Sequence, residues 1–263
     1  MLALEDVTVR FGGISALDSV SLGVDRDTVC GLIGPNGAGK TTLFDVISGV
    51  RRPTRGRVTL GGVDVSALGV AARAHRGLRR TFQRVQTFGW LTVEDNVLTA
   101  MEWRGGGGGF VADVVGLPTR ARRERERRAR VDEVLERCGL LDHRTEYAGA
   151  LPIGVARMVE LARATVDPPK LLLLDEPASG LDQAEAERLG AHIRAVRAET
   201  GCAVLLVEHD AGFVMEHSDR VVVLDLGRVL ADGSPEEIQA HAEVRAAYLG
   251  EVPTTADGGS PAR

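Results

Sequence analysis

Hydrophobic residues near the start of the chain recur in short runs that alternate with polar residues, a pattern typical of β-strands. Residues 20–24 and 28–33 form two such runs, and an earlier one comprises Leu2, Leu4, Val7 and Val9. A further run, Arg57 to Val65, is interrupted by Gly61-Gly62, which favours a tight hairpin turn there. The chain is therefore predicted to begin with an antiparallel β subdomain.

Apolar runs of a different kind occur later in the chain. Leu171–Leu174 and Ala203–Val207 contain no polar residue, so each has the length and composition of a strand buried on both faces. Thr81-Phe82-Gln83 is predicted to be a short extended piece after the basic stretch Arg76–Arg80. These runs predict a mostly parallel sheet.

Helical periodicity appears between the strands. Residues 41–48 predict one helix, and a second helix capped by Thr92 and Asp95 is predicted to run to about Trp103. Asp182 is predicted to cap another helix. Residues 131–141 also have helical spacing, so a helical insert is expected over about residues 84–165.

A glycine-rich segment lies between the buried run that ends at Ile33 and the first helix. Its nine residues are Gly34, Pro35, Asn36, Gly37, Ala38, Gly39, Lys40, Thr41 and Thr42. Glycines at this spacing let successive N–H groups point at one anion, the helix N-terminus adds its positive dipole end, and Lys40 adds a full charge. Thr41 offers a hydroxyl to Mg²⁺. The segment is predicted to be a phosphate-binding loop.

Composition strengthens this interpretation of Lys40. Of the 32 lysines and arginines in the chain, only Lys40 and Lys170 are lysines. A lysine retained among arginines indicates a site that needs a compact point charge between phosphate oxygens.

Overall composition and charge narrow the class of protein. A net charge of −5 argues against a broad electropositive face, so no nucleic-acid partner is expected. Cys30, Cys138 and Cys202 have no metal-binding or redox spacing and are expected to be core thiols, and the scattered histidines predict no metal cluster. The chain opens directly on a strand pattern, and no apolar run approaches the roughly 20 residues of a membrane span, so a cytoplasmic protein is expected.

Two carboxylates directly follow the buried run Leu171–Leu174. At the end of a central parallel strand beside a phosphate loop, Asp175 can hold Mg²⁺ and Glu176 can polarise the attacking water. An Asp-Glu pair after a strand is by itself more often a helix cap or a turn, but the upstream loop favours the catalytic interpretation. His209 follows the next buried strand, where it either bonds a γ-phosphate oxygen or is a structural histidine.

Other segments leave two interpretations open. Phe11, at a strand end before the phosphate loop, either stacks on a purine ring or is a half-buried strand-end residue. The run Arg120–Arg130, with its seven arginines, is either a solvated helix face or a surface near anionic lipid headgroups. Gly105–Gly109 is predicted to be a flexible surface loop, and residues 251–263 a disordered tail.

Taken together, these motifs resemble the ATP-binding subunits of ABC transporters along nearly the whole chain. Five motifs occur in the family's order: the phosphate loop Gly34–Thr42, the Gln83 loop, Leu151-Pro152-Ile153-Gly154 before a helix, the run Leu171–Pro177 with Ser179-Gly180-Leu181-Asp182, and His209. Residues 77–83 and the endings 233–237 and 247–250 resemble, more narrowly, the branched-chain amino-acid importer ATPases and their urea and amide relatives.

This resemblance implies a fold, a reaction and a set of partners. The fold would be an α/β P-loop NTPase core with a mostly parallel sheet, an N-terminal antiparallel β subdomain and the helical insert, spanning residues 1–250. The reaction would be hydrolysis of ATP with Mg²⁺, powering import of a small solute. The partners would be a second ATPase copy or a sister subunit, integral-membrane permease subunits and, indirectly, an extracytoplasmic solute-binding protein, with the chain peripheral on the cytoplasmic face of the membrane.

The resemblance also assigns roles to residues. Phe11 would stack on adenine, Gln83 would sense Mg²⁺ and the γ-phosphate, His209 would be the switch histidine, and Leu151, Gly154 and Asp182 would contribute to the nucleotide sites of a head-to-tail dimer. One departure concerns the usual Leu-Ser-Gly-Gly-Gln signature, which here has the form Leu151-Pro152-Ile153-Gly154-Val155. The signature thus loses a serine hydroxyl, its first glycine and its glutamine.

Two further classes compete with a transport ATPase. A soluble ABC ATPase of DNA repair or translation would carry a long coiled-coil insert or two cassettes, and this chain has one cassette. A GTPase would carry an Asn-Lys-x-Asp motif, which is absent, and neither a GTPase nor a small-molecule kinase would explain the signature.

Overall fold

The computed structural model describes residues 1–101 and 118–246. Two sheets form its framework. A four-stranded antiparallel sheet has the order β2-β1-β4-β5 and consists of β1 (Leu2–Phe11), β2 (Ile14–Val24), β4 (Arg55–Leu60) and β5 (Val63–Asp64). Its β4–β5 hairpin turns at Gly61-Gly62, so the predicted antiparallel subdomain is confirmed.

The second sheet has six strands in the order β10-β9-β3-β8-β7-β6. They are β3 (Val29–Ile33), β6 (Leu78–Arg80), β7 (Leu171–Asp175), β8 (Ala203–Val207), β9 (Arg220–Asp225) and β10 (Arg228–Gly233). All neighbouring pairs are parallel except β9 and β10. Every residue of β3, β7 and β8 is buried, as the continuous apolar runs predict. The predicted α/β fold with a mostly parallel sheet is confirmed.

Nine helices lie among the described residues. They are α1 (Lys40–Ser48), α2 (Val70–Ala74), α3 (Val93–Thr99), α4 (Pro118–Arg137), α5 (Ile153–Thr165), α6 (Gln183–Thr200), α7 (Ala211–His217), α8 (Pro235–Ala240) and α9 (Ala242–Val244), with 3₁₀ turns at Leu141–His143 and Ala148–Ala150. The two predicted caps are confirmed: Thr92 Oγ1 accepts from the Asp95 N–H, and Asp182 forms a capping box at α6.

Two predicted boundaries are wrong. Helix α3 ends at Thr99, because the N–H groups of Ala100 and Met101 turn to the carbonyls of Val97 and Leu98 in the tighter i→i−3 pattern. The extended piece before Gln83 is β6, which lies within the basic stretch and pairs with β7, while Thr81 adds one bond to the Leu173 carbonyl (2.9 Å). The predicted Gly105–Gly109 loop and the tail 251–263 lie outside the described residues.

The helical insert has a hydrophobic core of its own. Residues of α3, α4 and α5, including Val97, Leu135 and Val159, form a buried cluster distinct from the clusters on either side of the six-stranded sheet. Helix α5 also places Leu161 in the cluster that packs against β7 and β8. Helix α5 therefore joins the insert to the sheet.

The arginine-rich part of α4 carries ion pairs one helical turn apart. Arg122 Nε lies 3.0 Å from Glu126 Oε1, and Arg128 Nε lies 2.9 Å from Glu124 Oε1. These exposed pairs favour the solvated-face interpretation. In the described parts of the chain, no helix has the length and apolarity needed to span a bilayer.

Burial of the three cysteines is confirmed. Burial raises the pKa of Cys30 and of Cys138 to about 12, so neither thiol is a nucleophile at neutral pH.

Candidate functional site

The strand register brings the predicted site residues to one edge of the six-stranded sheet. Leu32 of β3 and Asp175 of β7 both pair with Val207 of β8, so the three strands end side by side. Because parallel strands point the same way, the segments that follow them meet at their carboxyl ends. Gly34, Glu176 and His209 therefore emerge next to one another.

Two glycines of the phosphate loop are required by packing and one by backbone conformation. A Cβ atom on Gly34 would lie 2.0 Å from the Leu224 carbonyl oxygen, and one on Gly39 would lie 2.6 Å from the Ala16 carbonyl oxygen. Gly37 has φ +82° with nothing within 4 Å of its would-be Cβ, so it faces the open side of the loop. Asn36 and Thr41 are also exposed there.

Lys40 is buried beneath the loop. Its Nζ donates to the carbonyl oxygens of Gly34 (2.6 Å) and Pro35 (3.0 Å), which leaves one further N–H of the ammonium. Burial lowers the pKa of Lys40, and the nearby Glu176 carboxylate opposes that shift. Lys40 therefore braces the loop from inside while keeping a donor for another oxygen.

The Asp175 carboxylate is held by an arginine that the sequence did not single out. Arg80 Nη2 donates to Asp175 Oδ2 (3.0 Å), and Arg80 Nη1 donates to Asp45 Oδ1 on α1 (2.8 Å). Burial raises the pKa of Asp175, whereas Arg80 opposes that rise. Sequence alone did not reveal this pair, because Arg80 and Asp175 are 95 residues apart and the strand before Gln83 was predicted to begin after Arg80.

Both carboxylate oxygens of Glu176 have partners in the predicted site. Gln83 Nε2 donates to Glu176 Oε2 (2.7 Å), and His209 Nε2 lies 2.5 Å from Glu176 Oε1. The backbone of Glu176 has φ +48°, a left-handed conformation that a non-glycine residue adopts at a cost of about 1–3 kcal/mol. The fold thus holds Glu176 between the two residues expected to act with it.

The carboxylate of Glu208 bonds the backbone just after Glu176 and at His209. Glu208 Oε1 accepts from the Ala178 N–H (2.6 Å), and Oε2 accepts from the His209 N–H (3.1 Å). Burial raises the pKa of Glu208. Glu208 ties the segment after β7 to the segment after β8, a role that sequence alone did not reveal because Ala178 is thirty residues away.

The other predicted residues lie apart from this cluster. Leu151 packs against the core of the insert, and the Cα of Gly154, at the start of α5, lies against the Glu185 side chain of α6. Asp182 caps α6. Among the described residues, no hydrogen bond or ion pair joins these three to the phosphate loop, so within one chain they contribute nothing to it.

The fold also gathers one group of possible metal ligands that the sequence did not predict. Single ligand atoms of Glu187, Glu216 and His217 lie within 4.8 Å of one another. Arg194 contacts Nδ1 of His217 and lies 4.0 Å from Glu187. With a guanidinium already among the carboxylates, the group behaves as an ion-pair cluster.

Comparison with known proteins adds relatives to this geometry. A family model described as ABC transporter matches residues 17–179, and one described as branched-chain amino acid ATP-binding cassette transporter matches residues 228–253. The high-affinity branched-chain amino acid transport ATP-binding protein BraF of Pseudomonas aeruginosa is 40% identical over 96% of this chain and 98% of its own length. LivG of Escherichia coli, which carries the same description, is 39% identical with the same coverage.

A solved structure has the same fold. The ADP conformation of MJ1267, an ATP-binding cassette of an ABC transporter, matches with a TM-score of 0.81 and 30% identity over 95% of this chain and 99% of that chain. Both the sequence relatives and this structure cover nearly the whole chain. This protein therefore belongs to the family of ABC transporter ATP-binding subunits, and it is an ATPase.

Proposed function

We propose that this protein hydrolyses ATP at the carboxyl edge of its six-stranded sheet to power import of branched-chain amino acids, or of a related amino acid or amide, through a membrane permease. The observation that supports hydrolysis is the position of Glu176 between Gln83 and His209. Only strand β8 lies between the strand that precedes Glu176 and the strand that precedes the phosphate loop. The cargo rests on the C-terminal family model and on the names of the relatives. A soluble ABC ATPase uncoupled from transport gains no support from them.

Nucleotide binding would use Phe11 and the phosphate loop. The exposed Phe11 ring would stack on adenine, and the N–H groups of residues 34–42 with the Lys40 ammonium would hold the phosphates. Lys40 already donates to Gly34 and Pro35, so it would add a phosphate oxygen to its partners without leaving the loop.

The oxygen-bearing residues at the site fit Mg²⁺, which prefers oxygen ligands. Thr41 is exposed on the first turn of α1, and Asp175 presents a carboxylate at the strand end. Gln83 uses its amide nitrogen on Glu176, so its amide oxygen is the atom left to face a cation. When bound, the ion would neutralise charge on the β- and γ-phosphates.

Hydrolysis would require Glu176 to accept a proton from the attacking water. As the water oxygen bonds to the γ-phosphorus, the bond from that phosphorus to the ADP oxygen breaks, and the water proton passes to a Glu176 oxygen. Each of those oxygens has one partner here and keeps a second lone pair, so either can take up the proton while the contacts to Gln83 and His209 stay in place. His209 would orient the γ-phosphate through the same ring nitrogen.

A second ATPase copy, or a sister subunit, would complete each site with Leu151, Gly154 and Asp182. The N–H groups of Gly154 and Val155 lie in the first turn of α5, and a helix N-terminus can bind a γ-phosphate without the missing signature serine. Ile153, in the same turn, is 46% exposed, which suits a residue that is covered on dimerisation.

The permease would dock at a groove of about 350 Å³ beside the Gln83 loop. From the sequence we expect a docking groove lined by Phe88, Trp90 and Leu91, whereas the groove is lined by Phe82, Phe88 and Arg163 among others. Trp90 and Leu91 are not among its lining residues, although Trp90 is 89% exposed nearby in sequence. Together with the absence of a spanning helix from the described residues, this surface supports a peripheral position on the cytoplasmic face of the membrane.

Replacing Glu176 with Gln separates binding from chemistry. Glu176→Gln keeps the shape and removes a negative charge near the γ-phosphate, so ATP should bind at least as well while hydrolysis falls by about 10²–10⁴-fold. Light scattering with ATP, with ADP and without nucleotide should show an ATP-dependent dimer, and a phosphate-release assay should show almost no product. The Lys40→Ala control should lose nucleotide binding and stay monomeric. Near-normal phosphate release by Glu176→Gln would show that Glu176 is not the base.

Cargo is tested separately by uptake of radiolabelled leucine in cells that lack this chain. Wild-type protein should restore uptake and Glu176→Gln should not, because transport needs hydrolysis. If the wild-type protein releases phosphate from ATP in the assay above but does not restore leucine uptake, the ATPase mechanism stands and the branched-chain cargo is rejected.

A further inference from the structure

Helix α5 grips the backbone of the Gln83 loop with three charged side chains on one face. Arg157, Glu160 and Arg163 are spaced three residues apart, so they project from the same side of the helix. We call these three residues the α5 clamp. Each of them contacts a backbone group between Phe82 and Gln86.

The clamp bonds three backbone carbonyl groups and one backbone N–H group. Arg157 donates through Nη1 to the Phe82 carbonyl (3.0 Å) and through Nη2 to the Gln83 carbonyl (2.5 Å). Glu160 Oε1 accepts from the Gln86 N–H (2.8 Å), and Arg163 donates to the Gln86 carbonyl. The loop is therefore held on both sides of the residue whose side chain reaches Glu176.

Burial makes these contacts strong and costly to lose. The side chains of Arg157 and Glu160 are each 6% exposed, and Arg157 Nη1 lies 3.3 Å from Glu160 Oε2. Hydrogen bonds to ionised groups are stronger than neutral ones, and a buried charge that loses its partner is destabilising. The clamp is thus rigid relative to the loop, which is itself on the surface and has no strand pairing beyond Thr81 among the described residues.

We propose that the α5 clamp is a positioning device for catalysis: it fixes the backbone at Gln83 so that the Gln83 amide reaches the Glu176 carboxylate. This inference rests on the proposed roles of Gln83 and Glu176. Helix α5 begins at Ile153, so it contains both Gly154 and the clamp residues. A movement of the segment around Gly154 would therefore be transmitted through α5 to the backbone at Gln83. Arg157 is its central member, since it alone bonds the carbonyl of Gln83 itself.

Kinetics of Arg157→Met and Arg157→Lys test the proposal. Arg157→Met should lower kcat about 10- to 100-fold, because Gln83 no longer holds its place, while KM and the nucleotide Kd stay within about twofold, because the phosphate loop is untouched. Arg157→Lys keeps a charged donor and should recover part of the lost kcat. A loss of kcat that Lys does not relieve at all would overturn the proposal.

A matched control separates positioning from general loosening of the insert. Arg144 forms a two-bond ion pair with Glu94 in the insert (2.9 and 2.7 Å) and a second pair with Asp132 (2.8 Å), so its bonds lie away from residues 82–86. Arg144→Met should therefore lower stability without lowering kcat. An equal loss of kcat in Arg144→Met would overturn the clamp.

Amide hydrogen exchange at Gln86 measures whether the clamp bonds the loop backbone, and it does not depend on ATP turnover. Glu160→Ala removes the acceptor of the Gln86 N–H, so that amide should exchange at least about tenfold faster than in wild type while amides of β7 and β8 keep their protection. Unchanged exchange at Gln86 would reject the clamp even if a kinetic variant proved too unstable to assay.

Gln83→Ala, measured in parallel, distinguishes the two levels of inference. If Gln83→Ala leaves kcat unchanged, the proposed role of Gln83 is rejected, and the proposal that the clamp positions Gln83 for catalysis is rejected with it. If Gln83→Ala lowers kcat and Arg157→Met does not, the role of Gln83 stands and the clamp is overturned.

Discussion

The Phe11 ring is 44% exposed at the end of β1, and the guanidinium carbon of Arg51 lies 4.2 Å from its centroid. A half-exposed ring that already carries a planar guanidinium over one face can accept a planar group, which favours the purine-stacking interpretation.

Phe11→Ala is expected to weaken ATP binding by about 1 kcal/mol, the size of one stacking contact, and to leave turnover at saturating ATP unchanged. Calorimetric titration gives the affinity and steady-state kinetics gives the turnover. Ile14→Ala is the control, because Ile14 faces Phe11 in the strand register and is 73% exposed but has no ring. Unchanged affinity in Phe11→Ala would return the ring to a structural role.

At the scale of elements, the helix that follows the phosphate loop is secured at its far end by a buried arginine. Arg73 Nη1 donates to the carbonyls of Val46 (2.6 Å) and Ile47 (2.7 Å), and Nε donates to the Leu68 carbonyl (3.0 Å). The residue is fully buried. A cation bonded to the last carbonyls of α1 satisfies its C-terminus and complements its dipole.

Arg73→Met should destabilise the protein by about 3 kcal/mol, because the Ile47 carbonyl loses its arginine donor in a buried position and the Val46 carbonyl keeps only the Gly49 N–H. Urea denaturation followed by circular dichroism measures the change. Arg52→Met provides the comparison, since Arg52 makes one exposed bond to the Ala67 carbonyl, and its effect should stay within about 0.5 kcal/mol. Equal effects of the two variants would contradict the cap.

Helices α6 and α7 meet at a buried histidine. His217 packs edge-on against Phe213, and a Cβ on Gly190 of α6 would lie 2.3 Å from its Nε2. Burial lowers the pKa of His217, and Arg194 lowers it further. His217 therefore binds a proton less readily in the folded protein than in the unfolded chain.

The sign of the resulting pH dependence follows from that difference. Below the ordinary histidine pKa of 6.5 the unfolded chain binds more protons at this residue, so stability should fall as the pH drops from 7.5 to 5.5. One proton contributes at most about 1.4 kcal/mol per pH unit. His217→Gln should flatten this dependence in urea titrations at several pH values. A slope identical to that of wild type would assign the effect elsewhere.

Sequence patterns predicted the parts of the fold that are local. The phosphate loop, the buried runs before Asp175 and Glu208, and the cap at Asp182 are each written in consecutive residues, and the structure has them where predicted. Arg73, Arg80 and the α5 clamp were not predicted, because each acts on a partner far away in sequence and arginine is abundant in this chain. Strand β6 was misplaced for a related reason: its arginines are paired with buried carboxylates, so they do not have the hydrophobic pattern of a strand.

At the scale of the whole molecule, the groove beside the Gln83 loop is the proposed docking surface for the permease. Phe88 is 47% exposed on its wall, and the Arg163 guanidinium carbon lies 4.8 Å from its ring centroid. Arg163 also belongs to the α5 clamp and bonds the Gln86 carbonyl. A permease helix bound in the groove would therefore contact a residue that positions the Gln83 loop.

Phe88→Asp and Trp90→Asp should each reduce copurification of the permease, because a carboxylate would replace an apolar contact in or beside the groove. Val63→Asp is the control: Val63 is 49% exposed on the β4–β5 hairpin, in the other sheet. ATP hydrolysis by the isolated subunit should be unaffected in all three. Intact copurification of Trp90→Asp would remove Trp90 from the docking surface, and intact copurification of both variants would reject the groove.

The scarcity of lysine has a practical consequence for watching this protein at work. Lys170 is exposed and Lys40 lies beneath the phosphate loop, so amine-acylating reagents have only two side chains to modify, one inside the site and one outside. The lowered pKa of Lys40 enlarges its reactive neutral fraction, and a bound nucleotide would shield it while leaving Lys170 open. The ratio of the two acylated peptides in a mass spectrum is thus an internally calibrated gauge of nucleotide occupancy, usable in intact cells without engineering a label.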